Sequence, residues 1–232
     1  MPQRPLEVRR LGRVGYADAL RLQNQLESQV IERRDSDHLL LLEHPHTFTL
    51  GRRSKSDGVL ATSDILRRLG AEVFEINRGG RVTYHGPGQV VGYPVICLSP
   101  DREDVHRYVR DLEEVLIRTM ADFDIEAFRI EGLTGVHTVE GKVAAIGVHI
   151  KRWVTTHGFA LNVNTDLTYY NWIIACEGEP VTSMERLLGR EVDAIDVEDR
   201  IVTNFAKVFD VYIVEGVNLT RAGKDSASAA LV

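Results

Sequence analysis

The residues best suited to chemistry are two thiols and the basic side chains able to activate one of them. Cys176 lies in the turn-rich segment Ala175-Cys176-Glu177-Gly178-Glu179-Pro180, directly after the apolar Trp172-Ile173-Ile174. A thiol on such a segment can meet a substrate, although free cysteine also serves as a small buried hydrophobe. Cys97 falls inside the run Val95–Leu98 and reads as core. A nucleophilic thiol needs a base or a cation beside it. His85, His149 and His157 are available as that partner; each also reads plainly as a strand-end histidine bonded to backbone. Lys142 is available too. It opens the small apolar run Val143-Ala144-Ala145-Ile146-Gly147. A lysine there either loses its charge by desolvation or keeps it and lowers a thiol pKa, unless it is simply a solvated hairpin residue. Spacing alone does not choose among these four.

The second feature is Arg78-Gly79-Gly80-Arg81-Val82-Thr83-Tyr84-His85-Gly86-Pro87-Gly88-Gln89. It sets four glycines between the apolar runs Val73–Ile76 and Val90–Leu98. Glycine brings backbone within reach of a ligand, and an ordinary connection needs only about four to six residues. No Lys-Ser/Thr follows to make a P-loop, and the continuation is a strand rather than the helix of a dinucleotide fingerprint. The stretch is therefore expected to be a strand-to-strand ligand loop. There is no Gly-x-Ser-x-Gly elbow and no His-Glu-x-x-His. His44-Pro45-His46 reads as a turn rather than a metal site, so neither metal nor cofactor is expected.

Composition narrows the class. The chain has 232 residues, 44% hydrophobic and 27% charged, as in ordinary globular proteins. A formal net charge of −6 argues against nucleic-acid binding. Two cysteines are too few for a disulfide scaffold and fit a reducing compartment. With no apolar run of about 20 residues and no signal-peptide core at Met1-Pro2-Gln3-Arg4-Pro5, a cytoplasmic protein without membrane contact is expected.

These residues must be positioned by the elements around them. Strands are expected at Leu6–Leu11, His38–Glu43, Thr47–Leu50 and Val90–Leu98. A hairpin of Gly135–Val139 and Lys142–Lys151 follows, then Val154–Val163 and a closing Val211–Val214. Helical spacing predicts helices over Tyr16–Arg33, Asp101 to about Phe123, and Val197–Phe209. A shorter one capped by Ser63 or Asp64 ends at Leu69-Gly70, and Leu187–Val192 is weakly specified. Strands in the middle with long helices outside imply one α+β domain. It would span residues 1–220, any small C-terminal subdomain starting near residue 180, with a disordered tail over 221–232.

Four blocks together make the chain resemble the lipoyl(octanoyl) transferases, the octanoyl-acyl-carrier-protein:protein N-octanoyltransferases. They are Glu43–Gly51, Arg78–Pro94, Gly141–Gly147 and His157–Asn162, in the right order across most of residues 43–183. The resemblance implies the fold of biotin and lipoate protein ligases, a mixed β-sheet sandwich flanked by helices. It assigns Cys176 as nucleophile and Lys142 as its acid/base partner. Arg78, Gly79, Gly80, Arg81, Val82, Thr83, Tyr84 and His85 would line the acyl pocket. Ala145, Ile146, Gly147, Gly158, Phe159 and Ala160 would add walls and backbone donors. The implied reaction moves octanoyl from acyl carrier protein, through a cysteine thioester and without ATP, to a lysine of a lipoyl carrier domain. Such acceptors belong to 2-oxoacid dehydrogenase complexes and the glycine cleavage H protein, and the step begins endogenous lipoate biosynthesis.

One block departs from the family pattern. Glu177 stands where glycine usually follows the cysteine, and Val181-Thr182-Ser183 arrives early. A carboxylate there would raise the thiol pKa. Arg52, Arg53, Lys55, Lys151 and Arg152 are candidates for a basic face toward an acidic carrier. The rival readings are an ATP-dependent lipoate or biotin protein ligase on the same fold, which needs no nucleophilic cysteine, and an idle module that binds acylated carriers. Cys176 and the His85-Gly86-Pro87-Gly88-Gln89 continuation argue against the first, and the presence of both Cys176 and Lys142 argues against the second.

Overall fold

Four consecutive leucines, Leu39 to Leu42, organise the core. In the computed structural model, which describes residues 3–33, 36–54, 58–174 and 179–219, all four are at most 1% exposed. Side chains alternate across a strand, so such a run requires apolar layers on both faces. Both layers are there. Leu39 and Leu41 pack with Tyr108, Leu112 and Phe205. Leu40 and Leu42 pack with Leu22, Leu26 and Val30.

The chain runs β1 (Arg4–Arg13), α1 (Tyr16–Arg33), β2 (Asp37–Glu43), β3 (Thr47–Leu50), α2 (Ser63–Leu69), β4 (Glu72–Glu75), β5 (Val82–His85) and β6 (Gln89–Val95). It continues through α3 (Val105–Ala121), β7 (Val136–Thr138), β8 (Gly141–Lys151), β9 (Val154–Asn162), a 3₁₀ turn (Leu167–Trp172), α4 (Met184–Leu188), α5 (Ala194–Phe209) and β10 (Val211–Asn218). A seven-stranded mixed sheet has the order β10-β1-β2-β6-β9-β8-β7, and a three-stranded sheet the order β4-β3-β5. Residues of α1 cover one face of the large sheet, while those of α3 and α5 cover the other. β1 lies parallel to both β2 and β10, and α5 packs on α3. This is the α+β, helix-flanked sheet architecture expected from the sequence. Among the described residues no helix is long and apolar enough to cross a membrane.

Local details correct several expectations. The helix placed from Asp101 begins at Val105, because Asp104 takes the N-cap and accepts the N–H groups of His106 and Arg107 at 2.8 and 3.0 Å. Thr62, rather than Ser63 or Asp64, caps α2. The glycine-rich stretch is two turns around β5, which pairs antiparallel with β3. The weakly specified region near Leu187 contains the end of α4, capped by Ser183. Cys97 is buried, in a lone bridge to Val154 beyond the end of β6. Cys176, Glu177, Lys55 and the tail 221–232 lie outside the described residues.

Truncating either leucine layer should cost comparable stability. Leu40→Ala and Leu41→Ala are each expected to lose about 2–5 kcal/mol in urea unfolding. A cost near zero for one of them would mean that its layer is not packed.

Candidate active site

The turn after β3 is zipped to the glycine-rich segment. Gly51 N–H donates to Arg81 O (3.2 Å), Arg52 N–H to Arg78 O (3.1 Å) and Arg53 N–H to Gly80 O (3.1 Å). From the other side, Gly79 N–H donates to Val148 O at 3.0 Å, docking the segment on β8. The Arg78 guanidinium runs inward and is 7% exposed. Its Nη2 donates to Thr49 O and Oγ1 at 2.9 and 2.8 Å, and Nη1 to Gly79 O at 2.9 Å. Gly147 makes room for it, since a Cβ there would stand 2.9 Å from Arg78 Cδ and 3.0 Å from Gly79 O.

Between this segment and the β8–β9 hairpin lies a cavity of about 410 Å³, within the ordinary range for a small-molecule site of roughly 300–1,000 Å³. One side is lined by Arg78, Gly79, Gly80, Arg81, Val82, Thr83 and His85. The other is lined by Ala145, Ile146, Gly147, Gly158, Phe159 and Ala160, where Ala145 pairs with Ala160 and Gly147 with Gly158 across the ladder. Lys142 and His157 also reach it; His149 does not line it. Tyr84 is the exception among the residues expected there. Side chains alternate along β5, and Tyr84 turns, with Val82, into the small sheet's own core beside Phe48 and Ile173; of the two, only Val82 also borders the cavity. Its hydroxyl bonds His46 Nδ1 at 2.7 Å.

Lys142 sits where β8 begins, at the cavity's edge. Its backbone pairs in parallel with Val181: Lys142 N–H donates to Pro180 O (2.8 Å) and Thr182 N–H to Lys142 O (3.0 Å). Its Nζ donates to Thr134 O at 2.7 Å and lies 3.7 Å from Glu179 Oε2. Gly135, at φ +125°, leaves space for the lysine stem; a Cβ there would be 2.6 Å from Lys142 Cε. Glu179 and His137 were not singled out from the sequence. His137 Nε2 lies 3.5 Å from the same Glu179 oxygen, an approach that only the β7–β8 pairing creates.

The far wall is polar but uncharged. His85 Nδ1 donates to Gln89 Oε1 at 2.9 Å, and Gln89 Nε2 to Asn162 Oδ1 at 2.9 Å. Asn162 Nδ2 then donates to Thr182 O at 3.1 Å, tying this wall to the segment beside Lys142. His157 has left-handed backbone (φ +57°), held by its N–H donating to Gln23 Oε1 (2.7 Å) and its Nε2 to Asn77 Oδ1 (3.0 Å). Burial pushes its pKa down to about 3, helped by the Arg78 charge. Burial likewise lowers His44 to about 4 and holds His85 well below the usual imidazole range. Tyr16 and Tyr93, beside them, are pushed above the usual phenol range by burial. His44 is fully used, Nδ1 donating to Val14 O (2.7 Å) and Nε2 accepting from Tyr93 OH (2.8 Å). Among the described residues no group of three or more His, Cys, Asp or Glu is gathered to hold a metal.

Comparison with known proteins agrees with this geometry in two stages. Solved structures with the same fold include lipoate-protein ligase A bound with ATP (TM-score 0.76, 15% identity, 94% of this chain and 89% of that one). Another is a bi-partite lipoate protein ligase from Thermoplasma acidophilum (TM-score 0.70, 16% identity, 94% and 87%). At such identities the likeness concerns fold, that of the lipoate protein ligases. The family model for the lipoyl protein ligase A/B catalytic domain matches residues 15–206. An octanoyltransferase of Solibacter usitatus is 51% identical over 216 residues, covering 93% of this chain and 98% of that protein. One from Caldicellulosiruptor bescii is 44% identical over 219 residues, covering 93% of each. The chain belongs to the octanoyltransferases of the lipoyl protein ligase A/B catalytic-domain family.

Neutral buried histidines have a measurable consequence. The unfolded chain takes up protons below about pH 6.5, whereas His44 and His157 stay neutral in the fold down to about 4 and 3. Their contribution is therefore fully present above pH 6.5 and is lost as pH falls toward those values. Stability should decline there by up to about 1.4 kcal/mol per pH unit per histidine. Urea unfolding of His157→Gln between pH 4 and 7 should show a shallower decline than the unaltered chain. An identical slope would mean that His157 is not held neutral.

Proposed function

We propose that this octanoyltransferase-family enzyme moves an octanoyl group from acyl carrier protein to a lysine of a lipoyl domain, through a thioester on Cys176. The observation that carries the reading is the backbone pairing of Lys142 with Val181. It ties the lysine to the segment following Cys176 at the edge of an acyl-sized cavity. Glu179, whose carboxylate lies 3.7 Å from Lys142 Nζ, is three residues from Cys176 in sequence, and three extended residues span at most about 11 Å. The cavity walls come from residues as far apart as Tyr16 and Val181, and β10 closes on β1. We therefore treat residues 1–220 as one catalytic unit.

The chemistry balances with these groups alone. The Cys176 thiolate, paired with the Lys142 ammonium, attacks the donor thioester carbonyl, and the bond to the phosphopantetheine sulfur breaks. The departing thiolate takes its proton from Lys142. The acceptor lysine, as free amine, then attacks the acyl-cysteine; the amide forms, the Cys176 thiolate leaves, and Lys142 recovers the proton. Dividing one transfer into two steps through a covalent intermediate is the ordinary logic of nucleophilic catalysis. The small side chains of the paired Ala145 and Ala160 leave width for an unbranched chain, while Gly147 and Gly158 let Arg78 and the Gly92–Pro94 segment pack close behind the walls. ATP is not consumed.

The donor carrier is expected to be acidic, and Arg52, Arg53 and Arg81 are exposed side chains at the cavity. None of the three makes an ion pair with another described residue. Lys151 and Arg152 do not line the cavity. They lie at the opposite end of β8 from Lys142, about 30 Å along the strand, with Lys151 3.7 Å from Glu27.

Intact-mass spectrometry after incubation with octanoyl-acyl carrier protein and no ATP tests the proposal. The enzyme should gain one octanoyl group, absent in Cys176→Ala and slower to form in Lys142→Ala. Modification of a lipoyl domain only when ATP and free octanoate are supplied would make the enzyme a ligase instead. Charge reversal at Arg52 and Arg53 should raise KM for the carrier and flatten its salt dependence. Kinetics insensitive to both changes would remove those arginines from the docking face.

A further inference from the structure

We propose that Glu179 is a positioning residue for this reaction, its carboxylate holding the Lys142 side chain at the cavity edge with His137 braced behind it. The inference rests on the reading of Lys142 given above and adds residues that reading does not use.

Three elements converge on the lysine. The first is the segment after Cys176, where Pro180 O accepts the Lys142 N–H and fixes the backbone. Glu179, the preceding residue, is thereby carried onto the cavity lining with Oε2 3.7 Å from Lys142 Nζ. The second is β7, which places His137 Nε2 3.5 Å from the same oxygen. The third is the turn before β7. There the fully buried Glu113 accepts from Gly135 N–H at 3.0 Å and is itself held by Arg110 and Arg129, at 2.7 and 3.2 Å. This turn presents Thr134 O to Lys142 Nζ at 2.7 Å. The ammonium thus has a neutral acceptor on one side and a carboxylate on the other, which restrains a side chain of four rotatable bonds.

The cluster is not explained as a plain surface ion pair. The Lys142 and Glu179 side chains are 16% and 17% exposed and His137 is 3% exposed. Glu179 Oε1 and His137 Nδ1 are buried with no hydrogen-bond partner among the described residues. Leaving such atoms unmet is costly, and a cost retained beside a catalytic lysine points to a role in the site. Only Glu177 to Pro180 separate Cys176 from Val181. Glu179 stands two residues before Val181, so the same bridge that splices this segment onto Lys142 brings its carboxylate to the lysine.

The experiment has two arms, on the unmodified enzyme and three variants. Thioester formation from octanoyl-acyl carrier protein should slow about tenfold or more in Glu179→Gln, a modest change in transition-state free energy. Donor KM should be little changed, and Glu179→Asp should recover most of the rate. Histidine titration by NMR reads the same contacts without turnover. The Glu179 carboxylate favours protonated His137 and the Lys142 charge opposes it. Its midpoint should therefore fall in Glu179→Gln and rise in Lys142→Met. Unchanged acylation in Glu179→Gln, failure of aspartate to recover it, or an unmoved His137 midpoint in both variants would overturn the proposal. If the unmodified enzyme forms no acyl adduct, the cysteine mechanism fails instead, while the His137 titration still decides whether Glu179 engages the lysine.

Discussion

The site depends on two backbone hydrogen bonds that splice a late segment onto the start of β8, Lys142 N–H to Pro180 O and Thr182 N–H to Lys142 O. Through them, chain regions about forty residues apart share a local frame, and the lysine's position is set by main-chain geometry rather than by side-chain preference. Main-chain pairing is a demanding constraint: a shift of one residue would reverse which side chains meet the cavity. The turn carrying Thr134 and the carboxylate of Glu179 then act on a lysine whose origin is already fixed.

Around that splice the protein uses neutral polar groups where charge would be expensive. His85, Gln89 and Asn162 form a buried relay that ends on Thr182, so the far wall and the splice are braced by one set of hydrogen bonds. The imidazoles stay uncharged because burial and the Arg78 guanidinium both oppose protonation. Arg78 is a permanent charge in this region, and its partners are chiefly carbonyl and hydroxyl oxygens. Buried hydrogen-bonded networks of this kind favour one geometry over alternatives.

Much of this was legible in the sequence wherever the signal was local and periodic. Tyr16–Arg33 is a helix with those bounds, and the leucines of β2 announce a strand covered on both faces. The blocks Arg78 to Thr83 with His85, Ala145 to Gly147 and Gly158 to Ala160, which the family resemblance singles out, fall on the walls of one cavity. What was hidden depended on tertiary pairing. Tyr84 belongs to the same block, yet strand alternation sends it to the face of β5 opposite Thr83 and His85. Asp101 and Asp104 are both plausible caps, and only the chain's path selects Asp104. His137 and Glu179 are unremarkable until β7 and the spliced segment converge on Lys142.

The sheet order carries a further consequence, for how the molecule comes to be folded. β1 lies between β2 and β10, and Arg4 is paired with Val211. Arg10, only 4% exposed, finds its carboxylates on Glu198, Asp199 and Glu215. β1 therefore waits for partners that lie about 200 residues further along the chain. Contacts of such sequence separation form slowly, because loop closure must precede any gain from the contact. During translation β1 offers an unpaired edge and an uncompensated arginine to its surroundings. Emergence of β10 and α5 removes both together, so β10 completes the protection of β1.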